Sequence, residues 1–172
     1  MSDSVDIRRM ALIALMGALI FVLTAIPRIP VPATGGYIHL GDAGITFAAY
    51  AFGPWVAAFA GGIGTAMADI AGGYAQWAVF SLLVHGLQGF LMGLIVKKAV
   101  NTLSVVLSVI AGAAIVVGGY FIAGTILMGA GAATAELIPN TIQGLTGGLI
   151  GVPLYLAVRK AYPPLAQFKQ TA

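Results

Sequence analysis

The chain has 172 residues, of which 60% are hydrophobic and 8% charged, with a mean hydropathy of +1.01. Soluble domains carry about 25% charged residues, so water is excluded as the main solvent of this chain. The net charge of +3 and the pI near 9.4 arise from small basic clusters beside apolar runs, without the basic stripe or stacking motif of a nucleic-acid binder, which argues for no nucleic acid partner.

This composition predicts an all-α integral membrane protein, a bundle of six transmembrane helices forming a single domain over 1-172, with a lipid bilayer around it. The segment from Met1 to Met10 carries Arg8 and Arg9 ahead of an apolar run. That run is long for a signal h-region and lacks an A-x-A site before Pro27, so it reads as a retained first helix. Span 1 covers about 10–26 and stops at Pro27-Arg28-Ile29-Pro30-Val31-Pro32, where closely spaced prolines cannot continue a helix. A stiff, extended loop follows through Tyr37.

Span 2, about 42–53, is roughly a dozen residues, or ~18 Å at 1.5 Å per residue. It is too short to cross unaided unless the loop before it dips into the membrane or the protein. Span 3, about 54–71, begins with Pro54 in its first turn and is rich in small residues that allow close helix contact, such as Gly61, Gly62 and Gly64. Span 4 covers about 77–96, span 5 about 103–128 and span 6 about 139–158. With both termini cytoplasmic, Arg8, Arg9, Lys97, Lys98, Arg159, Lys160 and Lys169 lie inside and Arg28 alone outside, as the positive-inside rule requires.

In that topology the unusual polar residues gather at the outer side: Tyr37, His39 and Asp42; Asp69; Tyr74, Gln76 and Trp77; Glu136 and Asn140. His85 and Gln88 lie deeper, three apart on one face of span 4, and Gln143 follows Asn140 on the face of span 6. Polar groups at membrane depth are costly and usually face a cavity, so the cluster predicts a binding pocket open to the outside. Each residue also has a plainer structural role. Asp42 suits the N-cap of span 2. Asp69 opposes a helix dipole and wants a partner, for which Arg28 is the external cation. Tyr74 and Trp77 sit where interfacial belt aromatics occur. His85, Gln88, Asn140 and Gln143 are able to tie helices together, and Glu136 fits an exposed loop. Ala14 and Ala18 form a small-xxx-small face on span 1, and Gly144, Gly147, Gly148 and Gly151 repeat the device on span 6, where packing within the chain is the preferred reading.

No G-x-x-x-x-G-K-[ST] loop is present, so ATP hydrolysis must come from partners. With no cysteine, no H-E-x-x-H and only two histidines, His39 and His85, a metal centre is not expected. Ser81 and His85 are spaced as nucleophile and base but lack a third orienting group, so the chain is not expected to be an enzyme.

The segments Tyr37-Ile38-His39-Leu40-Gly41-Asp42, Leu83-Val84-His85-Gly86-Leu87-Gln88-Gly89 and Glu136-Leu137-Ile138-Pro139-Asn140-Thr141-Ile142-Gln143-Gly144 resemble, in combination, the substrate-binding S components of energy-coupling factor (ECF) vitamin transporters. The resemblance is to the hydroxymethylpyrimidine, pyridoxine or pantothenate branch and covers nearly the whole chain. It implies a high-affinity binding subunit of an ABC importer in the prokaryotic plasma membrane, taking a small vitamin-like ligand from outside under a loop-1 lid. It also implies a transmembrane coupling subunit and two ABC-type ATPases as partners, ATP being used by those partners and no cofactor being bound by this chain. Ala14 and Ala18 match the helix-1 docking motif of that family. The ligand is implied to lie among Tyr37, His39, His85, Gln88, Glu136, Asn140 and Tyr120, beside Asp42 and Gln143. Three outer acids against one arginine favour a neutral or cationic solute over an anion. The alternative is a solitary ion-coupled secondary carrier of a small solute, using the buried acids Asp69 and Glu136.

Overall fold

The computed structural model describes residues 7–171, with side chains as far as Phe168. Lys169, counted above among the inner cations, lies outside the described side chains. Helix α1 spans Ile7–Ala25, and only Met16, Ile20 and Thr24 are buried on it. Their spacing of four places them in one stripe against α3 (Pro54–Gly72) and α2 (Gly41–Phe52). Exposed Leu15, Leu19 and Val22 cover the other side. An apolar outer surface of this kind is what lipid, rather than water, stabilises.

The short second span is a central helix. Eleven of the twelve residues of α2 are buried, and it touches α1, α3, α4 (Ala78–Val96) and α7 (Leu137–Ala161). Neighbours therefore cover its ends and sides. The chain then reverses into α3 through Gly53 alone, whose φ of 88° disfavours a side chain, and Pro54 follows at the first helical position. Helices α3 and α4 approach closely because Gly62 faces the Leu82 carbonyl and Gly89 the Ala57 carbonyl.

Helix α5 spans Thr102–Met128 and starts at a reciprocal cap in which Asn101 and Ser104 each accept the other's backbone N–H. It ends at Gly129, and the chain continues through a single turn, α6 (Ala130–Ala133), and a 3₁₀ turn at Thr134–Glu136 before α7. The sequence-based start of span 6 at Pro139 is therefore late: helical geometry begins before it, and Pro139 sits in the first turn, where its missing N–H leaves no bond unmade. The glycines of α7 pack internally, as expected. Gly147 and Gly151 lie against α2 at Asp42 and Ala43, and Gly144 and Gly148 lie against α5 at Ala113 and Val109. A last helix, α8 (Leu165–Thr171), was not anticipated from sequence; it tucks Leu165 into the core and Phe168 against Phe52.

Among the described residues five helices are long and apolar enough to cross a membrane, α7 being counted with the turns before it. Helix α2 is too short to be one of them.

Candidate functional site

The first loop, read from sequence as stiff and extended, folds back on itself as a small hairpin. Strands β1 (Ile29–Val31) and β2 (Gly36–Ile38) pair antiparallel, with Pro30 opposite Tyr37. The turn between them closes on the Thr34 N–H to Val31 carbonyl bond and on Gly35, at φ 61°. The hairpin lies over the ends of α3, α4, α5 and α7, held by three polar contacts. The Thr34 hydroxyl donates to Glu136 Oε1. The Tyr37 hydroxyl donates to Asp69 Oδ1 at 2.7 Å. The His39 backbone N–H donates to Gln143 Oε1 at 2.9 Å. Burial, with the Asp69 carboxylate next, holds the Tyr37 hydroxyl protonated well above the usual phenol range.

Under the hairpin lies a narrow cavity lined by Gly36, Tyr37, His39, Asp69, Trp77, Ser81, Tyr120, Glu136 and Asn140. It holds about 20 Å³, room for roughly one water. Of the residues singled out from sequence, Tyr37, His39, Tyr120, Glu136 and Asn140 converge on it. Asn140 donates to Glu136 Oε2 at 3.2 Å, one helical turn away.

The other four, Asp42, His85, Gln88 and Gln143, form a buried network just beneath. Gln88 donates to Asp42 Oδ2 at 3.2 Å and Gln143 to Asp42 Oδ1 at 3.4 Å. His85 Nδ1 lies 2.8 Å from Gln88 Oε1 and 3.3 Å from Asp42 Oδ1. The network joins α2, α4 and α7, and Gly147 is required where the chain passes Asp42 because a Cβ there would collide with the Asp42 side chain. His39 is seated above it, its ring 5.3 Å from that of His85. Burial first, then the neighbouring His85 and Arg28, hold the His39 imidazole well below its ordinary pKa, so it is neutral near pH 7. Among the described residues one grouping has the composition of a metal site, His39, Asp42 and His85, whose ligand atoms lie within 4.8 Å of one another. Amide donors already occupy both Asp42 oxygens.

Several local readings of the sequence are corrected. Asp42 caps no helix: α2 starts without a side-chain cap, and the carboxylate turns inward to the two glutamines. Asp69 bonds to Tyr37, and the expected partner, Arg28, instead donates to the Ala68 carbonyl at 3.1 Å and lies over the Tyr37 and Tyr74 rings. It sits against Gly72, where any Cβ would strike the guanidinium. Trp77 is no belt residue; it is 4% exposed and packs on Tyr120. Glu136 is buried, not exposed. Ser81 is hydrogen-bonded to Tyr120 at 2.6 Å and makes no hydrogen bond to His85.

Ala14 and Ala18 lie on the exposed face of α1, in an open apolar groove with Ile13, Gly17, Phe21 and Met67. The opposite end of the molecule from the hairpin is basic. There Lys97, Lys98 and Arg159 surround a cavity with Tyr50 and Tyr155, and Arg8 lies 4.1 Å over the Phe168 ring. Acids and cations thus occupy opposite ends among the described residues, with Arg28 the exception.

A family model described as "ECF-type riboflavin transporter, S component" matches residues 4–160. A protein of Lactococcus lactis named as the thiamine precursor transporter HmpT is 38% identical over 146 residues, covering 84% of each chain. An uncharacterized protein of Pyrococcus woesei is 37% identical over 146 residues, 85% of this chain and 98% of its own length. Among solved structures, the crystal structure of the S component for biotin from an ECF-type ABC transporter superposes with a TM-score of 0.68 at 20% identity, over 93% of this chain and 95% of that one.

Proposed function

Because this chain belongs to the family of S components of ECF-type riboflavin transporters, we propose that it is the high-affinity substrate-binding membrane subunit of an ECF-type ABC importer. Its ligand is a small vitamin or vitamin precursor, taken from outside the plasma membrane. The observation that carries this reading is the cavity roofed by a hairpin whose three anchors all reach side chains of the helices below. A roof of that kind opens and closes without repacking the helix bundle. Since the closed cavity has room for little more than a water, ligand entry requires the hairpin to lift and the lining side chains to spread.

The polarity of the two ends supports an orientation with the hairpin outside and both termini cytoplasmic, so that the basic end faces the cytoplasm. In that frame the bundle spans the membrane six times, with α2 completing its crossing through the hairpin above it. The chain carries no phosphate loop, so ATP hydrolysis falls to partners, and family membership supports two ABC-type ATPases reached through a transmembrane coupling subunit. The face of α1 carrying Ala14 and Ala18 is the docking surface for that subunit, since small residues permit close backbone approach.

Reconstitution tests the division of labour. Liposomes holding this chain with the coupling subunit and both ATPases are expected to take up the ligand only with ATP inside the cytoplasm-facing compartment. Uptake by the chain alone, driven by a proton or sodium gradient and lost in Glu136→Gln, would overturn the proposal in favour of a solitary carrier.

A further inference from the structure

The hydrogen bonds of the cavity do not close on protein groups alone. Tyr37 occupies Asp69 Oδ1, Thr34 and Asn140 occupy the two oxygens of Glu136, and Ser81 and Tyr120 engage each other. Two lining side chains keep a buried polar atom with no partner among the described residues, Asp69 Oδ2 and the Trp77 indole Nε1. Asp69 is 3% and Trp77 4% exposed, so bulk water does not complete them. The Ser81 hydroxyl also interacts with the Asp69 carboxylate, but it is paired with Tyr120 at 2.6 Å and no hydrogen bond of full geometry reaches Oδ2. Native proteins leave few buried polar atoms unpaired, because each one forgoes its hydration without return. Both residues line the same cavity, so whatever fills it, a water when closed or the ligand when bound, meets an acceptor and a donor that protein groups leave unpaired.

With Asp69 ionised, their chemistry is opposite. An ionised carboxylate oxygen only accepts, and an indole N–H only donates. We propose that Asp69 and Trp77 are the specificity pair of this cavity, reading a hydrogen-bond donor and an acceptor on the edge of a flat nitrogen heterocycle. The aromatic lining favours a π face on the ligand: Trp77 packs tilted against Tyr120 with ring centroids 5.9 Å apart, and Tyr37 against His39 at 5.6 Å. The lining holds two carboxylates, Asp69 and Glu136, and no lysine or arginine, which disfavours an anion. An exocyclic amino group beside a ring nitrogen, or a ring N–H beside a carbonyl, supplies the donor and the acceptor together. Neither role is visible in the local sequence, where Asp69 reads as a helix-end acid and Trp77 as a membrane-interface aromatic.

This inference rests on the capture reading above, and the experiment separates the two. The full chain is purified in detergent and titrated calorimetrically with four probes: riboflavin, biotin, thiamine and the aminopyrimidine alcohol from which thiamine is built. Asp69→Asn and Trp77→Phe are each expected to weaken the tightest probe by about 10- to 100-fold, the range for a hydrogen bond to a buried polar or charged group. Tyr37→Phe releases only Asp69 Oδ1 and is expected to lose less than Asp69→Asn. A second arm needs no variant: the analogue without the donor, the pyrimidine with hydrogen in place of its exocyclic amino group or N3-methylriboflavin, is expected to bind wild type at least about 10-fold more weakly. Binding of the parent probe within about twofold of wild type in both variants overturns the inference and leaves capture standing. So does an equal loss in Tyr37→Phe and Asp69→Asn, which reduces Asp69 to an anchor for the hairpin, or binding of biotin alone, which has no aromatic ring. Failure of wild type to bind these four and every other B vitamin or precursor overturns the capture reading itself.

Discussion

Asp42 is the side chain on which three helices converge. It is fully buried, and its two oxygens accept from Gln88 on α4 and Gln143 on α7 while His85 stands alongside. Removing the acceptor strands two amide donors and an imidazole in an apolar interior. Asp42→Ala is therefore expected to cost about 3 kcal/mol, read as a fall of several degrees in the melting temperature of the purified protein. Gln143 links this network to the hairpin, because its Oε1 receives the His39 N–H while its amide reaches Asp42. An unchanged melting temperature in Asp42→Ala would show that the network contributes little. The sequence showed these residues as polar groups at membrane depth, and that cost is what made them legible. It did not separate the cavity lining from the network beneath it, since the two differ only in which way each side chain turns. Asp69 and Trp77 were read by position along the chain, at a helix end and a presumed interface, when their burial is decided by the hairpin folding over them. The signal present was an uncompensated acid ending one span, followed by Tyr74, Gln76 and Trp77 within a few residues.

At the scale of elements, the hairpin and α1 carry separable tasks, and each has its own test. Thr34→Val deletes the hydroxyl that ties the β1–β2 turn to Glu136 but leaves the cavity's aromatic walls in place. It is expected to accelerate ligand dissociation by about 10-fold, the equivalent of one hydrogen bond, in stopped-flow measurements; a dissociation rate equal to wild type would remove the hairpin from the closure mechanism. On α1, Ala18→Trp fills the exposed apolar groove far from the cavity. It is expected to preserve ligand affinity and to abolish co-purification of the coupling subunit; retention of the complex would assign that face to lipid. The long spans were readable because apolar length is recorded directly in sequence. The burial of α2 was foreshadowed only as a shortfall in length, since a central helix and a tilted or re-entrant one have the same dozen residues. Helix α8 and the turns before α7 escaped notice, because segments of seven residues or fewer carry little periodicity.

Among the described residues the molecule is polarised, with acids under the hairpin and, Arg28 excepted, cations at the opposite end. The chain contains no cysteine, so single introduced thiols report orientation without background. In intact cells a membrane-impermeant maleimide is expected to label Gln76→Cys, in the exposed turn before α4, and to spare Lys98→Cys until the cells are opened. The reverse pattern would invert the topology. Family membership gives the fold and the transporter class, and it leaves the ligand to the cavity, whose unpaired atoms sit under the hairpin. The most direct test of capture is a calorimetric titration of the isolated chain with B vitamins and their precursors. One member is expected to bind at one site per chain with a Kd in the nanomolar to micromolar range, with no ATPase present; no heat from any member would contradict the account.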